Sequence, residues 1–263
     1  MENIYLPRRS KIIKIEPHTD IDYTFRMENN EEVKPGQFFE VSIPKYGEAP
    51  ISICGIGEGY IDLTIRKVGK VTDVIHTFFP GDTLFLRGPY GNGFDIENYK
   101  DKELIIAAGG TGLAPVKGII DYFSENRSEV KDINVLAGFK SPEDMLFKND
   151  IENWKNNVKV TVTVDSAKED YKGNKGLITN YVKDIKINNI EDVEVIIVGP
   201  PIMMKFTVQE FKKLGIKEEN IWVSYERKMC CGVGKCGHCK INDTYICLDG
   251  PVFKFSEAKE LID

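Results

Sequence analysis

Apolar residues in the first hundred positions come in short bursts separated by turn residues. Lys11-Ile12-Ile13-Lys14-Ile15 is one such burst. Gln37-Phe38-Phe39-Glu40-Val41-Ser42-Ile43 follows the turn Pro35-Gly36, and Thr83-Leu84-Phe85-Leu86-Arg87 follows Pro80-Gly81-Asp82. Tyr60-Ile61-Asp62-Leu63-Thr64-Ile65-Arg66 alternates with period two, which places its apolar side chains on one face of a strand. Short strands at this spacing predict an antiparallel barrel or sandwich. One short helix is predicted between Thr72 and Phe79, with Thr72 as its N-cap.

The pattern changes near Tyr99. Leu104-Ile105-Ile106-Ala107-Ala108 is a continuous apolar run, and Val116 to Phe123 behind it has helical spacing. Further strands are predicted at Asn134 to Gly138, Val158 to Val164, Val193 to Val198 and Ile221 to Tyr225. Helices are predicted from Ser141-Pro142-Glu143-Asp144 onward, over Leu177 to Val182 and over Met203 to Leu214. Alternating strands and helices predict a doubly wound parallel sheet. From about residue 226 the chain becomes a tail rich in glycine and cysteine. The expected organisation is thus a β domain over 1–97, an α/β domain over 98–225 and a tail over 226–263.

Length agrees, since 263 residues suit two domains at roughly 150 residues each. With 41% apolar and 29% charged residues the composition is that of a folded globular chain, which argues against disorder and fibrous repeats. The net charge of −6, without a basic block, argues against nucleic acid and anionic membrane surfaces as partners. The chain contains no run as long and apolar as a membrane-spanning helix requires, and the N-terminus has no signal-peptide pattern, so a cytoplasmic location is expected.

The cysteines carry the strongest signal. Cys54 stands alone and reads as a small buried hydrophobe. The other five, Cys230, Cys231, Cys236, Cys239 and Cys247, fall within 18 residues. Cys231-x4-Cys236-x2-Cys239-x7-Cys247 contains the C-x4-C-x2-C core of plant-type [2Fe–2S] ferredoxins, with a fourth cysteine further on. Gly232 and Gly234 allow a tight loop whose N–H groups turn toward sulfur. A structural zinc site is the alternative, although zinc favours paired short spacings. The four-residue gap favours Cys231 over Cys230 as first ligand. His238 is expected to face solvent.

Gly109-Gly110-Thr111-Gly112-Leu113-Ala114-Pro115 joins an apolar strand to a helix. Glycines there let the backbone approach a pyrophosphate, and a helix N-terminus supplies donors. Pro115 stands where the dinucleotide fingerprint has a third small residue, so the motif is incomplete and a simple packing turn is the alternative. Gly199-Pro200-Pro201 forms a second turn at a strand end. Asp165 ends another strand; near a ribose it would accept a 2′-hydroxyl bond and favour NADH over NADPH, with a solvated loop role as the alternative.

Taken in order, Ala49-Pro50-Ile51-Ser52, Arg66-Lys67-Val68-Gly69-Lys70-Val71-Thr72, Gly88-Pro89-Tyr90-Gly91-Asn92-Gly93-Phe94, the two glycine turns and the C-terminal cysteines resemble the ferredoxin–NADP reductase superfamily. The narrower resemblance is to its branch with a C-terminal [2Fe–2S] cluster. That branch holds the electron-transfer subunits of dihydroorotate dehydrogenase, the gamma subunits of sulfhydrogenase and the B-type subunits of anaerobic sulfite reductase. Gly47-Glu48-Ala49-Pro50-Ile51-Ser52, Val68-Gly69-Lys70-Val71-Thr72, Trp222-Val223-Ser224-Tyr225-Glu226-Arg227 and Gly234-Lys235-Cys236-Gly237-His238-Cys239 look most like the last of these.

The resemblance implies a Greek-key barrel that binds FAD, an NAD-binding sheet domain and a [2Fe–2S] tail. It implies FAD contacts at Ala49, Pro50, Ile51, Ser52, Thr64, Ile65, Arg66, Val71 and Thr72. The family's flavin-motif arginine is replaced by Ala49, and Arg66 or Lys67 stands in reach to compensate. It also implies a heteromeric anaerobic complex with sulfite reductase catalytic and Fe–S subunits as partners. NADH, with NADPH as the alternative, would bind through Gly109, Gly110, Thr111, Gly112, Asp165, Gly199, Pro200 and Pro201. Cys231, Cys236, Cys239 and Cys247 would hold the metal. A flavin couples the two-electron nicotinamide to a one-electron cluster. Hydride transfer to it needs no protein acid or base, so no catalytic side chain is named. A dihydroorotate dehydrogenase or sulfhydrogenase partner is the nearest alternative. A non-enzymatic, zinc-stabilised nucleotide-binding module is the alternative of another class.

Overall fold

The computed structural model describes residues 3–261. Its first strands are β1 (Arg8–Pro17), β2 (Asp22–Glu28), β3 (Phe38–Ile43), β4 (Gly47–Gly57), β5 (Tyr60–Arg66) and, after helix α1 (Lys70–Ile75), β6 (Thr83–Tyr90). These six strands close into an antiparallel barrel in the order β1-β2-β5-β4-β3-β6, which excludes the sandwich. Alternation explains the closure. Ile61, Leu63 and Ile65 of β5, Phe25 and Met27 of β2, and Phe39 and Val41 of β3 fill the barrel, all at or near zero exposure. A fully buried side chain of this size contributes about 1.5–3 kcal/mol.

Two of these strands have no clear sequence signal. β2 carries Asp22, Arg26 and Glu28; on the neighbouring strand β5, Arg66 pairs with Asp22 and Asp62 makes a two-pronged ion pair with Arg26. β4 contains Pro50, yet it pairs with both β3 and β5. The helix also differs from expectation. Gly69, not Thr72, occupies the N-cap, and the helix runs over Lys70–Ile75 rather than from Thr72 to Phe79. Thr72 is the third residue inside, where its hydroxyl accepts from the Val68 and Gly69 N–H groups and donates to the Gly69 carbonyl. It ties the turn backward from within because Gly69 has no side chain to do so.

The second unit alternates as expected: β7 (Glu103–Gly109), α2 (Leu113–Glu125), β8 (Asp132–Phe139), α3 (Lys148–Trp154), β9 (Lys159–Val164), β10 (Asn174–Lys175), α4 (Thr179–Val182), β11 (Val193–Val198), α5 (Pro201–Lys213) and β12 (Ile221–Ser224). A small hairpin, β13 (Lys240–Ile241) and β14 (Thr244–Tyr245), is followed by α6 (Ile246–Asp249), β15 (Val252–Lys254) and α7 (Phe255–Ala258). The seven-stranded sheet has the order β10-β9-β8-β7-β11-β12-β15. β7 is buried along its whole length, which is why it reads as an unbroken apolar run. Ser141-Pro142-Glu143-Asp144 opens only a 3-10 turn, and α3 starts later, at Lys148. Leu146 and Phe147 between them are buried in the core, which interrupts the helix.

By contacts the chain forms two units, Met1–Phe94 with Tyr225–Val252, and Asp95–Ser224 with Phe253–Asp263. The cysteine-rich segment belongs to the barrel unit. Asn92 holds it there. Its side chain donates to the Val252 and Asp249 carbonyls and accepts from the Val252 N–H, while its own N–H donates to the Gly250 carbonyl. Among the described residues no helix is long and apolar enough to cross a membrane.

Candidate redox and nucleotide sites

The cysteine loop is built around sulfur. Cys231 Sγ accepts N–H bonds from Val233, Lys235 and Cys236, each at 3.4 Å, and Cys247 Sγ accepts one from Gly234 at 3.2 Å. Such folding-back needs left-handed backbone, which Gly232 and Gly234 supply with φ of +73° and +68°. The Cys236 and Cys231 side chains are within hydrogen-bond reach of each other, and so are Cys247 and Cys239. Among the described residues no three His, Cys, Asp or Glu side chains converge as a single-ion site. Two thiol pairs suit a binuclear cluster held by four cysteines. The donor set therefore fits a [2Fe–2S] group.

These thiols differ from one another. The His238 backbone donor, followed by the Cys231 backbone, lowers the Cys236 thiol. Burial, and then the bond with Cys239, push Cys247 up to about 12. Metal must displace that proton to bind there. Cys230 offers its carbonyl rather than its sulfur to the architecture, because that oxygen accepts from Arg87. His238 is exposed and Cys54 is buried, both as expected.

Sequence reasoning missed the charged group beneath this loop. Arg87 on β6 lies across from Glu40 on β3, and its guanidinium bonds Glu48 at 2.7 Å. Glu40 has zero exposure, and neither carboxylate oxygen has a hydrogen-bond partner among the described residues. Its only sequence signal is a carboxylate inside the apolar run Phe38-Phe39-Glu40-Val41. Burial first, and Glu48 second, push it up to about 7, against the pull of Arg87. The folded chain therefore holds a proton that the unfolded chain has released between about pH 4.5 and 7. Stability from this group is complete below that window and is lost as pH rises through it, by on the order of 3 kcal/mol. Urea unfolding of Glu40→Gln against wild type should show this pH dependence removed and the variant more stable at pH 8. Identical pH slopes for the two proteins would refute the assignment.

The expected flavin residues gather in part. Ala49, Pro50, Ile51 and Ser52 lie half-buried on β4, and α1, with Val71 and Thr72, packs against β4 and β3. Other members are already engaged. Ile65 points into the barrel core, Thr64 bonds Thr24 and Cys54, and the Thr72 hydroxyl is consumed in its own turn. Arg66 forms a two-pronged pair with the buried Asp22, at 2.7 and 3.0 Å. Lys67 and Lys70 are exposed without an ion pair, and the Ser52 hydroxyl has no partner among the described residues. An open hydroxyl and the half-buried Pro50 fit an isoalloxazine, and two exposed cations fit the pyrophosphate of FAD.

In the sheet unit the two glycine turns meet. β7 lies between β8 and β11, the point where strand order reverses, and both turns sit at the carboxyl ends of neighbouring parallel strands. A Cβ on Gly112 would lie 2.6 Å from the Val198 carbonyl oxygen, and one on Gly199 would lie 3.2 Å from the Gly109 nitrogen. The turns are thus packed backbone to backbone, with α2 beginning directly behind the first. Asp165 is exposed just past β9, two strands away on the same sheet edge. A groove of about 590 Å³ in this unit lies elsewhere, between α5 and the region of α7, lined by Ile202, Lys205, Lys212 and Phe255.

Comparison with known proteins agrees with this anatomy. Residues 106–209 match the model of the oxidoreductase NAD-binding domain, and residues 226–259 match the iron–sulfur cluster binding domain of dihydroorotate dehydrogenase B. The sulfhydrogenase 1 gamma subunit of Pyrococcus furiosus is 37% identical, over 97% of this chain and 92% of that protein. The probable dihydroorotate dehydrogenase B electron-transfer subunit of the same organism is 31% identical, over 91% of this chain and 85% of that one. The structure of NADH-dependent reduced ferredoxin-NADP oxidoreductase superposes with a TM-score of 0.78 at 24% identity, covering 94% of this chain and 88% of that one, a likeness of fold. With its barrel, its NAD-binding sheet and its paired thiols, the chain belongs to the family of the sulfhydrogenase gamma subunits and the dihydroorotate dehydrogenase B electron-transfer subunits.

Proposed function

We propose that this chain oxidises NADH and delivers the electrons singly to a partner protein, using the family's cofactors, FAD and a [2Fe–2S] cluster. The observation that carries the reading is the two thiol pairs on a chain that also has an NAD-binding sheet. FAD, when bound, supplies the conversion between a hydride and single electrons. The chain's own residues hold and orient. Gly109, Gly110, Thr111, Gly112, Gly199, Pro200 and Pro201 shape the carboxyl edge of the sheet for a pyrophosphate, and Asp165 meets the ribose. Ala49, Pro50, Ile51, Ser52, Val71 and the Thr72 turn form the flavin shelf, with Lys67 and Lys70 opposite the phosphates. Cys231, Cys236, Cys239 and Cys247 bind iron, and the loop N–H groups spread charge away from sulfur.

For the partner we propose a sulfite reductase that reduces sulfite to sulfide in the cytoplasm. The support is the likeness of four segments, Gly47–Ser52, Val68–Thr72, Trp222–Arg227 and Gly234–Cys239, to the B-type subunits of anaerobic sulfite reductase. Most of these residues lie on the flavin shelf and the cluster loop, not in the core. The second reading is a sulfhydrogenase, favoured by 37% identity over nearly the whole chain to such a gamma subunit. Isolating the native complex anaerobically and following NADH oxidation separates them. Turnover that depends on sulfite and yields sulfide is expected. Turnover with polysulfide or protons but not sulfite would replace the first reading with the second, and a zinc-loaded chain without flavin or iron bands would sink both.

A further inference from the structure

Arg87 is a buried cation with only 6% of its side chain exposed. A buried guanidinium is retained where its donors are used, and here all four terminal N–H positions are engaged. Nη1 donates to the Tyr90 hydroxyl at 3.0 Å and to the Cys231 carbonyl. Nη2 donates to Glu48 at 2.7 Å and to the Cys230 carbonyl at 2.8 Å. Tyr90 in turn donates to the Ile4 carbonyl at 2.9 Å. Each terminal nitrogen thus bonds one group of the barrel and one of two consecutive carbonyls of the cysteine loop.

That grip has a geometric consequence. In a trans peptide the C=O and the following N–H point in opposite directions. Turning the Cys230 and Cys231 carbonyls toward Arg87 turns the N–H groups of Cys231 and Gly232 away from it. Directly beyond this held stretch, the N–H groups of Val233, Lys235 and Cys236 fold onto Cys231 Sγ. Tyr90 sets how closely the loop can lie. A Cβ at Gly232 would come within 2.6 Å of the Tyr90 ring, so the loop rests flat on it.

We propose that Arg87 is the positioning residue for the first cluster ligand: braced by Glu48 and Tyr90, its fork sets the Cys230–Cys231 backbone so that the loop N–H groups converge on Cys231 Sγ, and its charge favours the reduced cluster. The proposal rests on the reading that Cys231 binds iron. Lysine keeps the charge but offers one point of attachment in place of a planar fork. Methionine removes both. The two substitutions therefore separate geometry from charge.

The test uses the full chain with flavin and cluster loaded. Iron release to a ferrous chelator, the EPR g-values of the dithionite-reduced protein and the cluster midpoint potential are compared for wild type, Arg87→Lys and Arg87→Met. Both variants should release iron on the order of 10-fold faster. Both should show shifted g-values. Only Arg87→Met should have a lower midpoint potential, because a positive charge beside the cluster stabilises the added electron. Flavin content and circular dichroism report folding, and if Arg87→Met does not fold, Arg87→Lys decides by its iron-release rate and g-values. Wild-type release and g-values in Arg87→Lys would overturn the positioning role. An unchanged potential in folded Arg87→Met would overturn the electrostatic one. A wild-type chain that takes up no iron would overturn the ligand reading instead, a distinct result.

Discussion

Cys231→Ser should abolish the iron–sulfur absorption bands and the EPR signal of the dithionite-reduced protein, whereas Cys230→Ser should leave both in place. The two residues are adjacent, and spacing alone favours Cys231 only slightly. Their surroundings separate them. Cys231 Sγ receives three backbone N–H bonds and lies within reach of the Cys236 side chain. What Cys230 gives the loop is a carbonyl oxygen bonded to Arg87, and serine keeps it. The Cys230 thiol itself is pushed up by burial, with no backbone donor drawing it toward the anionic form. Serine at 231 replaces a soft thiolate by a hydroxyl that keeps its proton at neutral pH, so one iron loses a ligand. Flavin content should be unaffected, because the flavin shelf on β4 and α1 uses none of these residues. The opposite pattern, loss in Cys230→Ser and retention in Cys231→Ser, would show that the neighbouring thiol is the ligand.

The difference between what the chain reveals and what it hides follows from range. The cluster ligands are readable because a cluster loop is local, and its spacing is its geometry. β7 and β11 are readable because strands buried on both faces carry long apolar runs, here Leu104–Ala108 and Val195–Val198. β2 and β4 are not, since their polar residues and Pro50 are accommodated only once the barrel closes. The pairing of Arg66 with Asp22 is not readable either, because its partner lies 44 positions away on β2. Arg87, Glu40 and Glu48 give no local signal because each has meaning only through the others. Glu48 is 39 positions from Arg87, and the Cys231 carbonyl is 144 positions away. The flavin residues lie between these cases. Their order along the chain is legible through resemblance, but the engagement of the Thr72 hydroxyl in its own turn and of the Thr64 hydroxyl with Thr24 on β2 is not.

Gly112→Ala should lower NADH-dependent reduction on the order of 100-fold while leaving the cluster spectrum unchanged. The alanine methyl would sit 2.6 Å from the Val198 carbonyl oxygen, 2.8 Å from its carbon and 2.9 Å from Gly199 Cα. All three are backbone atoms of the neighbouring strand end, and none can rotate away as a side chain would. The turn after β7 and the turn after β11 must therefore separate by several tenths of an ångström. Overpacking of this kind costs about 1–3 kcal/mol of stability. The larger consequence is positional, because both turns shape the edge where the dinucleotide would lie. Gly59→Ala, in the turn between β4 and β5 and outside the nucleotide turns, is the control. A Cβ there meets nothing within 4 Å, and its φ of +76° leaves only modest left-handed strain. NADH titration by flavin bleaching under anaerobic conditions measures both variants. Weak binding in Gly112→Ala with near-normal binding in Gly59→Ala would place the nucleotide at the contact between the two turns. Wild-type NADH affinity in Gly112→Ala would mean that this edge of the sheet does not bind the nucleotide.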